Sequence, residues 1–206
     1  MNVPFRACLL MLALVVAACG VPQVPDQTYY HLPRPAELPK AATPLFERPV
    51  VVELFGADGL YADRALVYAL DADARELRQY HYQLWTDPPT RLLQRRLIVE
   101  LRQAGVAPRV TDALPASVPA LRIAGVILRF ERVPAADGGA RAVVVLKLRA
   151  SGADGVPLVE EIYRAEAPVD GKRLVASADA FGRAIDQAFA AFHADLLRIA
   201  ETDHVR

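Results

Sequence analysis

The fold is decided by the sequence LRIAGVILRFERV at Leu121–Val133, followed by RAVVVLKLR at Arg141–Arg149 and LVEEIYRAE at Leu158–Glu166. Branched residues dominate the first two segments, and such residues favour strands over helices. The links between the three segments contain Asp137-Gly138-Gly139 and Asp154-Gly155, which are typical of tight hairpin turns. The three segments therefore predict an antiparallel meander.

A long amphipathic helix is predicted after the meander, starting near Ser177 or Asp179. Its apolar residues recur at intervals of three or four, which places them on one face of a helix. They are Phe181, Ile185, Phe189, Phe192, Leu196 and Ile199. This face is expected to close the core, with Phe189 and Phe192 largely buried.

A second helix is predicted before the meander, capped by Thr86 or Asp87 and stopped by Gly105. Leu93, Leu97 and Leu101 form its apolar stripe, and Trp85 is expected to be a core wedge where strand meets helix. The arginines lie away from this stripe and are expected on its solvated face: Arg91, Arg95, Arg96 and Arg102.

Shorter strands are predicted upstream, joined by an extended connection over Pro33–Pro49. They are residues 28–32, 49–55, 66–70 and 77–84, the last two forming a hairpin, and a further short strand at 106–110. A turn is predicted over Gly56–Gly59. Together these elements predict an α+β fold in two layers, a mainly antiparallel sheet with two amphipathic helices packed on one face.

The N-terminus predicts a lipoprotein. Arg6 and the apolar residues 7–17 form a stretch too short to span a bilayer, and Val16-Ala17-Ala18-Cys19 follows, which resembles the lipobox. We therefore expect a signal peptide over residues 1–18, diacylglycerol and an N-acyl chain on Cys19, a tether over 19–27 and one periplasmic domain over 28–206. Gly20 and Val21 include no aspartate, which favours the outer membrane over the inner one.

Composition excludes two classes of function. Basic and acidic residues number 24 each, so the chain has no electrostatic footprint for nucleic acid. Cys8 lies in the predicted signal peptide and Cys19 is the predicted lipid site, so the mature domain has no cysteine left for a disulfide or a thiolate metal site.

The order of motifs resembles that of the ABC-type transport auxiliary lipoproteins. Tyr29-Tyr30-His31-Leu32 is similar to the Tyr-Tyr-x-Leu strand of that family, and Tyr80 to Pro89 (YHYQLWTDPP) is similar to its tyrosine-containing hairpin, tryptophan and helix start. The loop after Phe55 departs from the family pattern, being rich in Gly and Ala. The resemblance implies the outer-membrane lipoprotein of an MCE-type lipid transport system, of which the paraquat-inducible kind is best known, docked on a periplasm-spanning MCE-domain protein.

Neither catalysis nor metal binding is predicted. The four histidines lack metal-ligand spacing, and no nucleophile or phosphate-loop motif occurs. A surface for a protein partner is predicted instead at Tyr30, Tyr80 and Tyr82, if these side chains share an uncovered sheet face. A structural envelope lipoprotein or a small lipid carrier is the alternative function. Phospholipid binding and a homo-oligomer stay open.

Overall fold

The computed structural model of the protein describes residues 25–203. The predicted signal peptide, the lipid site at Cys19 and the first six residues of the predicted tether lie outside the described residues. Residues 25–203 form a curled mixed sheet with two helices, which confirms the α+β class.

The sheet has nine strands, of which the last three are much longer than the others. They are β1 (Thr28–Tyr30), β2 (Val50–Val52), β3 (Gly56–Ala57), β4 (Ala65–Ala69), β5 (Leu77–Trp85), β6 (Val110–Thr111), β7 (Leu121–Pro134), β8 (Ala140–Ser151) and β9 (Pro157–Pro168). The predicted meander is β7, β8 and β9, and its strands pair antiparallel.

The long strand β7 organises the sheet. One edge of β7 pairs with β8, and the other edge receives β2, β3 and β4 one after another, each parallel to it. The hairpin partner β5 lies antiparallel on β4, while β6 and β1 lie parallel on the outer edges of β2 and β5. The antiparallel pairs within the meander are the long ones, and every parallel pair includes at least one short strand.

Both helices form where the apolar periodicity predicts them. They are α1 (Pro89–Gln103) and α2 (Leu174–Asp203). Phe181, Phe189 and Phe192 of α2 are at most 1% exposed, and Trp85 packs at 5.4 Å from Phe181 between ring centroids. The apolar stripe of α2 and the wedge role of Trp85 are therefore confirmed.

The predicted cap of α1 is wrong. The cap position belongs to Pro88, whose carbonyl accepts the backbone N–H groups of Arg91 and Leu92 at 2.9 and 3.1 Å. Asp87 accepts a hydrogen bond from Arg95 and Thr86 lies 3.3 Å from His31, so both side chains are engaged elsewhere.

Two loop and strand boundaries also differ from prediction. Gly56 and Ala57 form β3 instead of a turn, because the neighbouring edge of β7 offers them partners at Val126 and Ile127. The segment 106–110 is a strand only at Val110. Its first residue, Val106, donates to the Leu101 carbonyl at 3.1 Å and so still belongs to the end of α1, which Gly105 closes with a φ of 69°.

The connection Pro33–Pro49 is extended, as predicted, and binds both helices; we call it the strap. The Pro33 carbonyl accepts a hydrogen bond from Arg96 of α1 at 2.6 Å, and the Ala36 N–H donates to Asp186 of α2 at 3.3 Å. A Cβ on Gly182 of α2 would lie 2.2 Å from Cγ of Pro33. Only glycine allows the strap to approach α2 this closely.

The prediction of a solvated Arg96 is wrong, although Arg91, Arg95 and Arg102 are exposed. The Arg96 side chain is 5% exposed and forms an ion pair with Asp186. Its Nε also lies 3.0 Å from Oε1 of Glu100, one turn further along α1. A buried cation is tolerated here because two carboxyl groups and the Pro33 carbonyl surround it. The ionic cluster of Arg96, Glu100 and Asp186 thus joins α1, α2 and the strap.

Glu100 is the least satisfied member of this ionic cluster. The Nε–H of Arg96 points at Asp186, at 3.1 Å, so neither carboxyl oxygen of Glu100 accepts a hydrogen bond within the described residues. Burial raises the pKa of Glu100 to about 8. The positive charge of Arg96 opposes this shift, and the electrostatic effect of Asp186 adds to it. Glu100 is therefore mostly protonated at neutral pH.

Candidate functional site

The hairpin of β4 and β5 contains an irregularity at the predicted tyrosines. Ala65 pairs with Leu84, but Val67 pairs with Gln79. Four residues of β5, Tyr80–Gln83, therefore stand opposite Leu66 alone. Such bulges bend a strand, redirect its side chains and are frequent next to functional sites.

An open groove of about 590 Å³ follows this bulge. Its lining consists of tyrosines, other polar residues and two leucines, and it contains no carboxylate: Leu60, Tyr68, Leu77, Arg78, Gln79, Tyr80, His81, Tyr82 and Gln83. We call it the tyrosine groove. Tyrosine side chains supply large contact area at a small loss of conformational entropy, which suits binding of a protein partner.

The three predicted tyrosines are all half-buried, but their surroundings differ. Tyr80 and Tyr30 pack against the main core, and the hydroxyl of Tyr30 donates to Gln83 at 2.6 Å. Tyr80 and Tyr82 both line the groove, and Tyr82 makes no side-chain hydrogen bond within the described residues. Two of the three tyrosines are thus brought together in the groove, and Tyr30 supports them from the adjoining strand.

Two further residues complete the site. The ring of Tyr68 on β4 lies 4.4 Å from that of Tyr80 between centroids, so the two rings pack directly. Arg132 on β7 is the register partner of Tyr68. Neither Tyr68 nor Arg132 is among the predicted anchors, because neither lies on β5.

The electrostatics of the groove are set by burial and by Arg132. Burial raises the pKa of Tyr80, and the positive charge of Arg132 opposes this shift. The Nε of Arg132 is buried and donates to no acceptor among the described residues. Arg132 therefore places a positive charge near the packed rings of Tyr68 and Tyr80.

A second buried polar cluster is centred on Glu131 of β7, the strand that also carries Arg132. Its polar groups form hydrogen bonds with one another. Glu131 is fully buried and accepts hydrogen bonds from Tyr61 at 2.8 Å and from Arg129 at 2.6 Å. Burial of the ring, followed by the hydrogen bond to Glu131 and the charge of that carboxylate, raises the pKa of Tyr61. Because each carboxyl oxygen has a partner, this cluster is best explained as a support for the short 3-10 turn at Gly59–Ala62.

An apolar hollow lies at the opposite end of the sheet. It measures about 490 Å³, is open to solvent and is lined by the apolar Leu45, Phe46, Leu121 and Leu158 together with the acidic Glu47 and Asp154. Leu158 is 37% exposed. Arg48 stands at the same hollow without an ion pair among the described residues.

Residues 25–203 contain neither a cluster of metal ligands nor a membrane-spanning helix. This part of the chain contains no group of three or more His, Cys, Asp or Glu side chains that could hold a metal ion. Neither of its helices is long and apolar enough to cross a membrane.

Known structures resemble the fold over most of its length. Protein XCC0632 from Xanthomonas campestris, assigned to a family described as DUF330, matches with a TM-score of 0.74 and 19% identity, covering 87% of this chain and all of the other. An uncharacterized protein matches with a TM-score of 0.62 and 16% identity over 84% of this chain and 98% of its own. The hypothetical protein CT253 from Chlamydia trachomatis matches with a TM-score of 0.53 and 9% identity, over 75% of this chain and 98% of the other. At these identities the likeness concerns the fold alone.

The sequence also matches a family model. The model describes the ABC-type transport auxiliary lipoprotein component and aligns with residues 30–192, a range that runs from β1 into α2 and includes the tyrosine groove. No curated protein sequence matches the chain.

Proposed function

Because this chain belongs to the family of ABC-type transport auxiliary lipoprotein components, we propose that it is the outer-membrane lipoprotein of an MCE-type lipid transport system. In this role it binds the periplasm-spanning MCE-domain protein and has no turnover of its own. The family is one of transport accessories and not a known enzyme family. Lipid on Cys19 holds the domain at the periplasmic face of the outer membrane.

The observation that supports docking most directly is the tyrosine groove. It combines a strand irregularity, packed aromatic rings and the exposed Arg78 in one open surface. Aromatic and arginine side chains dominate the energetics of protein interfaces. The groove therefore has the composition of a docking surface, with Tyr80 and Tyr82 as its anchors and Tyr30 on the adjoining strand.

Tyr82→Ala tests the docking surface with the least risk to the fold, because Tyr82 lies outside the apolar core clusters. We expect the affinity for the MCE-domain protein of the same transport system to fall about thirtyfold, or about 2 kcal/mol. Calorimetric titration of the lipidated protein in detergent measures it. The matched control is Ile162→Ala, which truncates an exposed side chain on β9 and should leave both affinity and melting curve unchanged. Equal affinities for the Tyr82 variant and the wild type would argue against this surface.

The lipid anchor is tested by Cys19→Ser. We expect an unprocessed precursor that incorporates no fatty-acid analogue during metabolic labelling, since the thiol is the group that accepts diacylglycerol. Cys8→Ser is the control, because Cys8 lies in the predicted signal peptide, and it should label like the wild type. Labelling of the Cys19 variant at the wild-type level would contradict the proposal.

A small lipid carrier is the second candidate, and the apolar hollow at Leu45, Phe46 and Leu158 is the observation that favours it. A ligand site for an acyl chain needs apolar walls with a few polar groups at the rim. Mass spectrometry of lipid extracts from the purified protein distinguishes the two candidates. Stoichiometric phospholipid together with no binding to the MCE-domain protein would favour the carrier.

A further inference from the structure

One edge of β5 is largely without a strand partner. β4 occupies the inner edge of β5, and β1 covers the outer edge only at Gln83–Trp85. Within the described residues, the outer edge of Leu77–Tyr82 is paired with no strand. An open edge of this kind is a template for main-chain pairing with another extended segment.

The described residues before β1 leave this edge open. Because β1 runs parallel to β5, the residues before Thr28 would be the ones to continue the pairing, opposite Tyr82, His81 and Tyr80. Pro25, Asp26 and Gln27 are exposed and form no strand. Pro25 and Pro22 also have no N–H to donate, so this segment is poorly suited to a ladder of hydrogen bonds.

The charge beside the open edge has one sign. Arg78 and His81 line the groove, no carboxylate does, and the Arg78 side chain is exposed without a hydrogen bond or ion pair among the described residues. A carboxylate on an incoming segment would find Arg78 here as an exposed cationic partner.

We propose that Leu77–Tyr82 bind an extended acidic segment of the protein partner as an added β-strand. The segment lies beside β5 in line with β1, on the side of Thr28 that faces Tyr82. Its main chain pairs with the open edge of β5, one apolar side chain enters the tyrosine groove between Tyr80 and Tyr82, and a carboxylate faces Arg78. Strand addition of this type draws affinity from main-chain hydrogen bonds and specificity from the pockets for alternate side chains. The inference rests on the proposed function, since it assigns the binding mode of the same partner.

Hydrogen–deuterium exchange with residue resolution tests the binding mode. The full lipidated protein is inserted into nanodiscs and measured with and without the MCE-domain protein of the same transport system. Strand addition predicts slowed exchange at alternate amides of Leu77–Tyr82 on binding, because alternate N–H groups of an edge strand point outward. Docking through side chains alone would leave those amides exchanging as in the free protein.

Charge reversal tests the acidic character of the segment. Arg78→Glu should weaken binding about tenfold or more, while Arg173→Glu, an exposed arginine in the loop before α2, should leave it unchanged. Binding without protection of the β5 amides would overturn the strand-addition mode and leave the proposed function standing. Protection with unchanged affinity of the Arg78 variant would overturn the acidic partner, and absence of any binding would overturn both inference and proposed function.

Discussion

Replacing Arg96 with methionine is expected to lower the free energy of unfolding by about 3–5 kcal/mol, the range for a buried ion pair that loses one partner. The substitution keeps most of the side-chain volume but removes the cation between Asp186 and Glu100. It also leaves the Pro33 carbonyl without its donor.

Urea denaturation of the purified protein at neutral pH measures this loss. The matched control is Arg95→Met on the same turn of α1. Arg95 is 60% exposed and its ion pair with Asp87 is a surface one, so that variant should lose at most about 1 kcal/mol. If the Arg96 variant were as stable as the Arg95 variant, the ionic cluster would not hold the helices together.

Glu100→Gln is expected to stabilise the protein at neutral pH by about 3 kcal/mol. The pKa of Glu100 is about 8 in the folded protein and about 4.5 in the unfolded chain, and each unit of difference corresponds to about 1.4 kcal/mol. Because the pKa of Glu100 is higher in the folded protein than in the unfolded chain, unfolding releases a proton at any pH between about 4.5 and about 8. Stability should therefore be greatest below about pH 4.5 for this group and fall as the pH rises to about 8.

The measurement is the difference in unfolding free energy between the variant and the wild type across that pH range. Glutamine cannot ionise, so the difference should be near zero at about pH 4 and grow towards pH 8. Glu53→Gln, which removes a 48% exposed carboxylate, should show no such growth. A difference independent of pH would mean that Glu100 is ionised in the folded protein.

The longest elements are also the most predictable ones. The meander β7–β9 and the helix α2 follow from local patterns, since branched runs bounded by Gly turns and a stripe of Phe and Leu each admit few alternatives. The parallel docking of β2, β3 and β4 on β7 does not follow, because strands of two to five residues carry too short a pattern to select a partner. The partner of such a strand is decided by the free edge that the long strand offers.

Burial of single polar residues was the harder part to predict. Arg96 sits at the border of the α1 stripe, and its pattern is that of a solvated arginine. What buries it is Asp186, ninety residues further along the chain. The tyrosine groove shows the same division: Tyr80 and Tyr82 were predicted as partner-binding residues, whereas Tyr68 joins them only through the register of β4 against β5.

The path of the chain from β1 into the strap decides how the domain bears a mechanical load. A pull on the residues before Thr28 acts along the axis of β1, which is parallel to β5, so its three residue pairs resist in shear and fail together. Once β1 gives way, the force reaches the next fixed point, Pro33, wedged against Gly182 and bonded to Arg96. The two helices then take up the tension before the long strands do. The N-terminal end of the domain thus has two points that yield one after the other under load. They are the pairing of β1 with β5 and the contact of Pro33 with Gly182 and Arg96, and both lie upstream of the meander.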